Sequence, residues 1–413
     1  MEEKSAQTWN KSSRLLMHVG PHKTATTTIQ SGLQAHQNSL QEDNYYYIGK
    51  LDEEFDVFRP IFQSCFPYDS KDDPCHKRHE WRDFVEKMQQ HCNAGHNVIL
   101  FSEEMSNFPQ KEEHWDILKN EAFACFDSVE VVLTYRRYHE WILSYYNNMF
   151  RPREYNQYTK AWPGQFREVK TPLGTIEKVG GVFIPTFEEY MENPSKYEHL
   201  QNHDYFCDVH SHPLECTKRH FEPHFDTISV FNLHERTEED GNNVLSNFVC
   251  NFMSNATNAC GVIRDTEDKN VTIRNEAIDM DAQLIADFVY QKGLIKDDML
   301  LTTKRGEITN LIESVYWDEE EGEVENDVNC LNSLDLKMLH KRSLRAEKRL
   351  FPEFYDSPHG KTELNASFER YNEEDLYCSL DIESVFEGDY TQKWHFLKQQ
   401  QKQEASNSND EVS

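Results

Sequence analysis

A chain of 413 residues with a formal net charge of −30 repels polyanions at long range, which argues against nucleic acid or an anionic membrane surface as its main partner. Apolar residues are 37% of the chain, enough for one α/β core with generous polar loops, and no stretch reaches the roughly 20 apolar residues that a membrane-spanning helix needs. The first fourteen residues are polar and hold no apolar signal-peptide core, so the expected compartment is the cytoplasm. The alternative is the Golgi lumen, should an N-terminal anchor be missing from this sequence. The close pairs Cys65/Cys75, Cys207/Cys216 and Cys250/Cys260, with N-x-[ST] acceptors at Asn10, Asn255, Asn270 and Asn365, suit that alternative.

Residues 1–13 read as a flexible lead. Leu15-Leu16-Met17-His18-Val19 is an apolar run of the buried-strand type. Gly20-Pro21-His22-Lys23-Thr24-Ala25 follows as a tight turn, and a helix is predicted from Thr26 to about residue 40. This order of strand, loop and helix N-terminus aims backbone N–H groups and the positive end of a helix dipole at one place, the chemistry of a phosphate site. It is not a Walker A loop, which needs a second Gly followed directly by Lys and Ser/Thr. Tyr45-Tyr46-Tyr47-Ile48-Gly49 reads as a short extended segment, and 51–80 as loop. A helix is predicted over 81–92 with Gly95 ending it. The run 97–101 is a strand followed by Ser102-Glu103-Glu104. The run 129–135 is a second β-branched strand, ending at Arg136-Arg137. The helix after it carries Trp141, Ile142, Tyr145 and Tyr146 on one face, a core-packing pattern, and Ser144 eight residues after Arg136. An Arg fork and a Ser hydroxyl at that spacing can flank one phosphate.

Residues 151–226 are broken by Pro and Gly and read as a long irregular insertion, of the kind that builds acceptor sites in α/β folds. Within it, Cys207, His210, His212, Cys216, His220 and His224 lie within eighteen residues. They match no named zinc spacing, so loop histidines with a Cys207–Cys216 disulfide are expected ahead of a structural metal. The run 227–231 reads as a late strand of the same sheet, and 242–255, 276–294, 331–350 and 390–402 as helices. Lys304-Arg305-Gly306 is either an ordinary surface triplet or a basic loop over a bound anion. Residues 317–327 form an acidic run, read as a solvated loop, and 401–413 as a disordered tail. No internal repeat is present. The expected plan is an α/β domain over 14–315 with 151–226 as its insertion, an acidic loop at 316–330 and a helical C-terminal extension over 331–400.

Two of these motifs resemble the donor-binding elements of sulfotransferases that use 3′-phosphoadenosine-5′-phosphosulfate (PAPS). Their loop reads approximately G-x-x-K-[TS]-G-T-[TS]-[TS], with Ala25 here in place of the usual Gly. Their second element is a strand ending in Arg with Ser eight residues on, as in Arg136 and Ser144. Ser102-Glu103 is similar to a pair in a microbial branch of that family, and the resemblance spans about 14–150. It implies an α/β fold: a three-layer, P-loop-type parallel sheet flanked by helices. It implies that Gly20, Lys23, Thr24, Ala25, Thr26, Thr27 and Thr28 hold the 5′-phosphosulfate, that Lys23 also stabilises the leaving oxygen, and that Arg136 and Ser144 hold the 3′-phosphate. The catalytic base would be Glu103, then Glu104, then His22. No metal is required. The acceptor would be a hydroxyl on a carbohydrate or small molecule, a neutral one if net charge decides, with no nucleic acid involved. The rival readings are a P-loop kinase or NTPase, which needs a Mg-binding hydroxyl after the Lys, and a non-catalytic nucleotide-binding protein of the same fold.

Overall fold

Near-continuous runs of aliphatic and aromatic residues, rather than alternating ones, make the central strands, because both faces of the sheet they form are covered. The computed structural model describes residues 13–21, 23–49, 61, 74–101, 112–149, 167–170, 176–179, 186–192, 212–235, 243–266, 328–374 and 376–380. In chain order the elements begin with β1 (Arg14–Val19), α1 (Thr26–Ala35), α2 (Gln37–Glu42), β2 (Tyr45–Ile48), α3 (His79–Asn93), β3 (Asn97–Phe101), α4 (Glu112–Ile117), β4 (Ser128–Tyr135) and α5 (Tyr138–Met149). They continue with β5 (Arg167–Lys170), β6 (Ile176–Val179), α6 (Phe187–Glu192), α7 (Pro213–Phe221), β7 (Thr227–Asn232), α8 (Val244–Phe252) and α9 (Thr257–Asp265). The last are β8 (Val328–Cys330), α10 (Ser333–Leu350), α11 (Pro352–Asp356), α12 (Gly360–Glu373) and β9 (Cys378–Leu380). By contacts the chain divides into one unit of residues 1–141 with 195–276, and a second of 142–194 with 277–413.

The first unit is α/β. Its five-stranded sheet has the order β2-β3-β1-β4-β7, and every neighbouring pair is parallel. Met17 of the central strand sits opposite Leu100 on one side and Val131 on the other. On one face Leu16, Ile99, Val132 and Phe231 join Ile29, Leu33, Leu245 and Phe248 in one apolar cluster. On the alternate positions Leu15, Met17, Val98, Leu100, Val131 and Leu133 are fully buried as well. Each such side chain contributes roughly 1.5–3 kcal/mol relative to exposure. Helices α1 and α8 approach so closely that a Cβ on Gly32 would lie 2.4 Å from Leu245 Cδ2, so a larger residue there must displace the Leu245 side chain.

The predicted strands at 97–101, 129–135 and 227–231 are present, each within a residue of its expected ends. Gly95 ends α3 at a φ of 73°, its N–H donating to the Cys92 carbonyl at 2.8 Å. The helix expected from Thr26 to about residue 40 is two helices, parted at His36 with φ −106° and ψ 19°. The described residues of 151–226 hold the antiparallel β5–β6 hairpin, α6 and α7. Pro213 is compatible with a helix by its position. It occupies the first turn of α7, where its missing N–H costs nothing and its fixed φ suits the helix.

In the second unit Asn332 caps α10, its side-chain oxygen accepting the N–H groups of Leu334 and Asp335 at 3.0 and 3.1 Å. Helix α10 packs on α12, with Leu339, Ser343, Ala346 and Leu364 buried. His340 stacks on Phe368 at 4.4 Å between centroids, and Phe368 leads through Tyr377 to Phe187. The short ladder β8–β9 is closed by the Cys330–Cys378 disulfide. Cys92–Cys125 and the expected Cys250–Cys260 are also bonded. Cys75 and Cys216 are each in a disulfide, and among the described residues no cysteine is free. Among the same residues no helix is long and apolar enough to cross a membrane.

Candidate functional site

Strand β1 lies between β3 and β4, so the chain leaves the sheet in opposite directions at the carboxyl ends of neighbouring strands. Open parallel sheets bind their ligands in the crevice that this reversal creates. The loop after β1 and the start of the connection after β4 both stand at that edge.

The loop is built around Gly20. A Cβ there would lie 2.7 Å from Thr26 Cγ2 and 2.8 Å from Thr24 Oγ1, so the turn can fold back on itself only over a Gly. The buried Thr24 hydroxyl donates to the Pro21 carbonyl at 2.7 Å, which ties the turn shut. Lys23 and Ala25 both adopt left-handed backbone, with φ of 70° and 58°. A side-chain-bearing residue there costs roughly 1–2 kcal/mol, and turns of this kind gather successive N–H groups into an anion-binding concavity. Ala25 is the N-cap of α1 and has no side-chain acceptor. A Ser, Thr, Asp or Asn cap would consume a first-turn donor, and Ala has no acceptor to do so. A left-handed φ such as that of Ala25 is one that Gly adopts without strain.

Arg136 brings the second motif to the first. Its Nη1 donates to the Lys23 carbonyl at 3.1 Å, across 113 positions of sequence. Its Nε lies 3.5 Å from Glu140 Oε2, one turn along α5. The guanidinium is therefore aimed at the loop from one side and held from the other, with a quarter of the side chain exposed. Beneath it, buried His18 Nε2 and Thr134 Oγ1 lie 2.6 Å apart and join β1 to β4. The His18 ring stacks on Phe101 at 3.9 Å.

The backbone of Arg136 is pinned by His212. The Nδ1 of this ring accepts the Leu214 N–H at 3.1 Å and caps α7, so Nδ1 carries no proton. Nε2 therefore bears the hydrogen and donates it to the Arg136 carbonyl at 2.8 Å. Burial among Tyr135, Tyr138 and Trp141 lowers the His212 pKa from 6.5 to about 4, against the opposing pull of the Arg136 carbonyl. Next to it the Arg137 N–H donates to His234 Nε2 at 3.2 Å. That nitrogen is thus unprotonated, and its 3.8 Å approach to Glu140 is not an ion pair.

These uses take His212 and Cys216 out of any metal set, Cys216 through its disulfide. His220 and His224 pack around the buried Trp115 ring at 5.8 and 5.5 Å. Burial, then His224, lowers the His220 pKa. Of the other expected site residues, Thr27 and Thr28 are half-buried in the first turn of α1, and Ser144 is half-buried on α5. His22, Glu103 and Glu104 lie outside the described residues, as do Cys207, His210, Lys304-Arg305-Gly306 and the acidic run at 317–327. Sequence reasoning missed His18, Thr134, Glu140, His212 and His234. Only Glu140 carried a signal, the i,i+4 spacing from Arg136 that favours a helical ion pair.

Fold and site together define an α/β protein whose parallel sheet presents a left-handed, hydroxyl-rich loop and an arginine at one edge. Set against protein-family models, curated proteins and solved structures, the chain matches none.

Proposed function

We propose that the protein is a P-loop-type sulfotransferase that moves a sulfonate group from PAPS to an acceptor hydroxyl. The observation that carries this reading is the hydrogen bond from Arg136 to the Lys23 carbonyl. It supports a single anion site made from two motifs whose order along the chain resembles that of the PAPS-dependent enzymes. The loop amides of 23–28, the N-terminus of α1 and Lys23 would bind the 5′-phosphosulfate. Arg136, aligned by Glu140 and by the His212 bond to its carbonyl, would bind the 3′-phosphate with Ser144.

In the reaction the acceptor oxygen forms a bond to sulfur as the bond from sulfur to the donor's phosphate oxygen breaks. The acceptor proton passes to a base, with Glu103 first in order, then Glu104 and His22. The products are the sulfate ester and 3′,5′-adenosine bisphosphate. Lys23 would neutralise the charge that develops on the bridging oxygen, a contribution of the kind worth about 10²–10³ in rate. The kinase or NTPase reading is less favoured, because the hydroxyl it needs for Mg²⁺ would come from Thr24, which is buried and already donates to Pro21. The disulfides favour an oxidising lumen over the cytoplasm.

The test is transfer of labelled sulfonate from PAPS across a panel of carbohydrates, sterols and phenols. The proposal expects transfer to at least one acceptor class, lost in Lys23→Ala and reduced chiefly through donor affinity in Arg136→Ala. Wild-type rates in both variants would sink the site. Binding of donor with no transfer to any acceptor would leave the non-catalytic reading.

A further inference from the structure

Helix α10 presents a cationic stripe on a strongly acidic chain. The chain has 73 Asp and Glu against 43 Lys and Arg, yet Lys337, Lys341, Arg342, Arg345, Lys348 and Arg349 all fall on this one helix. At 100° per residue these six lie within an arc of about 140° and span about 18 Å of helix axis. All are exposed except Arg342, which is half-buried. The only acids of α10, Asp335 and Glu347, are buried at 8% and 1% exposure. The opposite face, with Leu339, Ser343 and Ala346, packs inward. Lys337, Lys341, Arg342, Arg345 and Lys348 make no side-chain ion pair among the described residues, although such a face commonly carries i,i+4 acids to relieve its own repulsion.

We propose that this stripe docks an anionic polysaccharide, a linear chain bearing sulfate or carboxylate groups. Two observations select the occupant. The six cations line one helix, while the chain as a whole carries −30. A broad anionic partner, such as a duplex or a bilayer, extends past a single helix and meets a chain of net negative charge, whereas a thin chain laid along the helix engages its cations alone. The stripe's exposed apolar groups are Leu334 and Met338, both at the N-terminal end of the helix, so from Lys341 onward it offers charge alone. Each surface charge pair is individually weak. A flexible acidic peptide loses backbone entropy at every residue ordered, so it gains little here. Linked sugar rings are stiff before they bind and carry a charge at regular intervals, so one-per-turn cations can engage them at lower ordering cost. The proposal stands apart from the transfer reaction and needs neither donor nor Lys23.

The experiment is a calorimetric titration of the full chain with heparin oligosaccharides and, separately, with oligouronates. The comparison probes are poly-glutamate, duplex DNA and phosphatidylserine vesicles. One or both oligosaccharides should bind most tightly, the two arms separating sulfate from carboxylate recognition. The Lys337→Gln/Lys341→Gln/Arg345→Gln/Lys348→Gln variant, checked for an unchanged unfolding midpoint, should lower the slope of log K against log salt by about 3, at about 0.7 per contact by the single-strand rule. Wild-type binding that is absent at low salt, tighter to any comparison probe, or unchanged in the fourfold variant would overturn the proposal. Should that variant misfold, the salt slope of the wild type decides: a value near zero overturns it.

Discussion

Replacing His212 by Asn separates the two things this ring does. Asn keeps an N-cap acceptor for the Leu214 N–H but cannot titrate and does not reach as far towards the Arg136 carbonyl. The folded ring has a pKa of about 4 against 6.5 unfolded. Between those values the unfolded chain binds more protons than the folded one, so stability falls as pH drops through that window. The contribution is complete above about pH 6.5 and gone by about pH 4. Relative to pH 7 the wild type loses about 2 kcal/mol at pH 5 and about 3 kcal/mol near pH 4 from this residue alone. His212→Asn loses the bond to Arg136, about 1 kcal/mol at pH 7, but escapes the acid penalty. The variant is therefore less stable than wild type at pH 7 and equal or more stable at pH 5. Urea unfolding followed by tryptophan fluorescence, with Trp115 and Trp141 in the same unit, measures both proteins at both pH values. Parallel stability profiles for the two would refute the assignment of His212 as a buried neutral pin.

Gly20→Ala sets a methyl 2.7 Å from Thr26 Cγ2, and the resulting loop shift is expected to cost transfer about a hundredfold, read by donor saturation kinetics. Ala25→Gly relieves the left-handed φ of 58° and should stabilise the chain by about 0.5–1 kcal/mol after the entropy of Gly is counted, seen as a higher urea midpoint. Removing the Cys330–Cys378 bond, which closes a separation of 48 residues, should cost about 4 kcal/mol in the chain-entropy account. Differential unfolding of the Cys330→Ser/Cys378→Ser variant measures it.

The strands and the loop were legible because burial on both faces leaves an unmistakable apolar run and because turn chemistry constrains few positions to few residues. Lys23 and Arg136 were singled out by the resemblance of their two motifs to known donor-binding elements, and they meet at one edge of the sheet. Within 151–226 the short elements β5, β6, α6 and α7 went unnamed, because four to nine residues are too few to show a period. Helix α9 was missed because its buried face is only Ala259 and Ile263, too few apolar positions to show a period. The roles of His18, His212 and His234 are tertiary: each depends on a partner far away in sequence, Thr134, Arg136 or Arg137. Net charge pointed away from anionic partners, yet as a sum over the chain it hid the sorting of charge on α10. There the acids are buried and the bases exposed, and only a surface shows that.

The most direct test of the donor site is calorimetric titration of the full chain with 3′,5′-adenosine bisphosphate against ATP with Mg²⁺. Tight binding of the bisphosphate without metal, lost in Arg136→Ala, is the predicted result. Binding of Mg-ATP with no response to the bisphosphate would contradict the sulfotransferase account and leave the kinase or NTPase reading in its place.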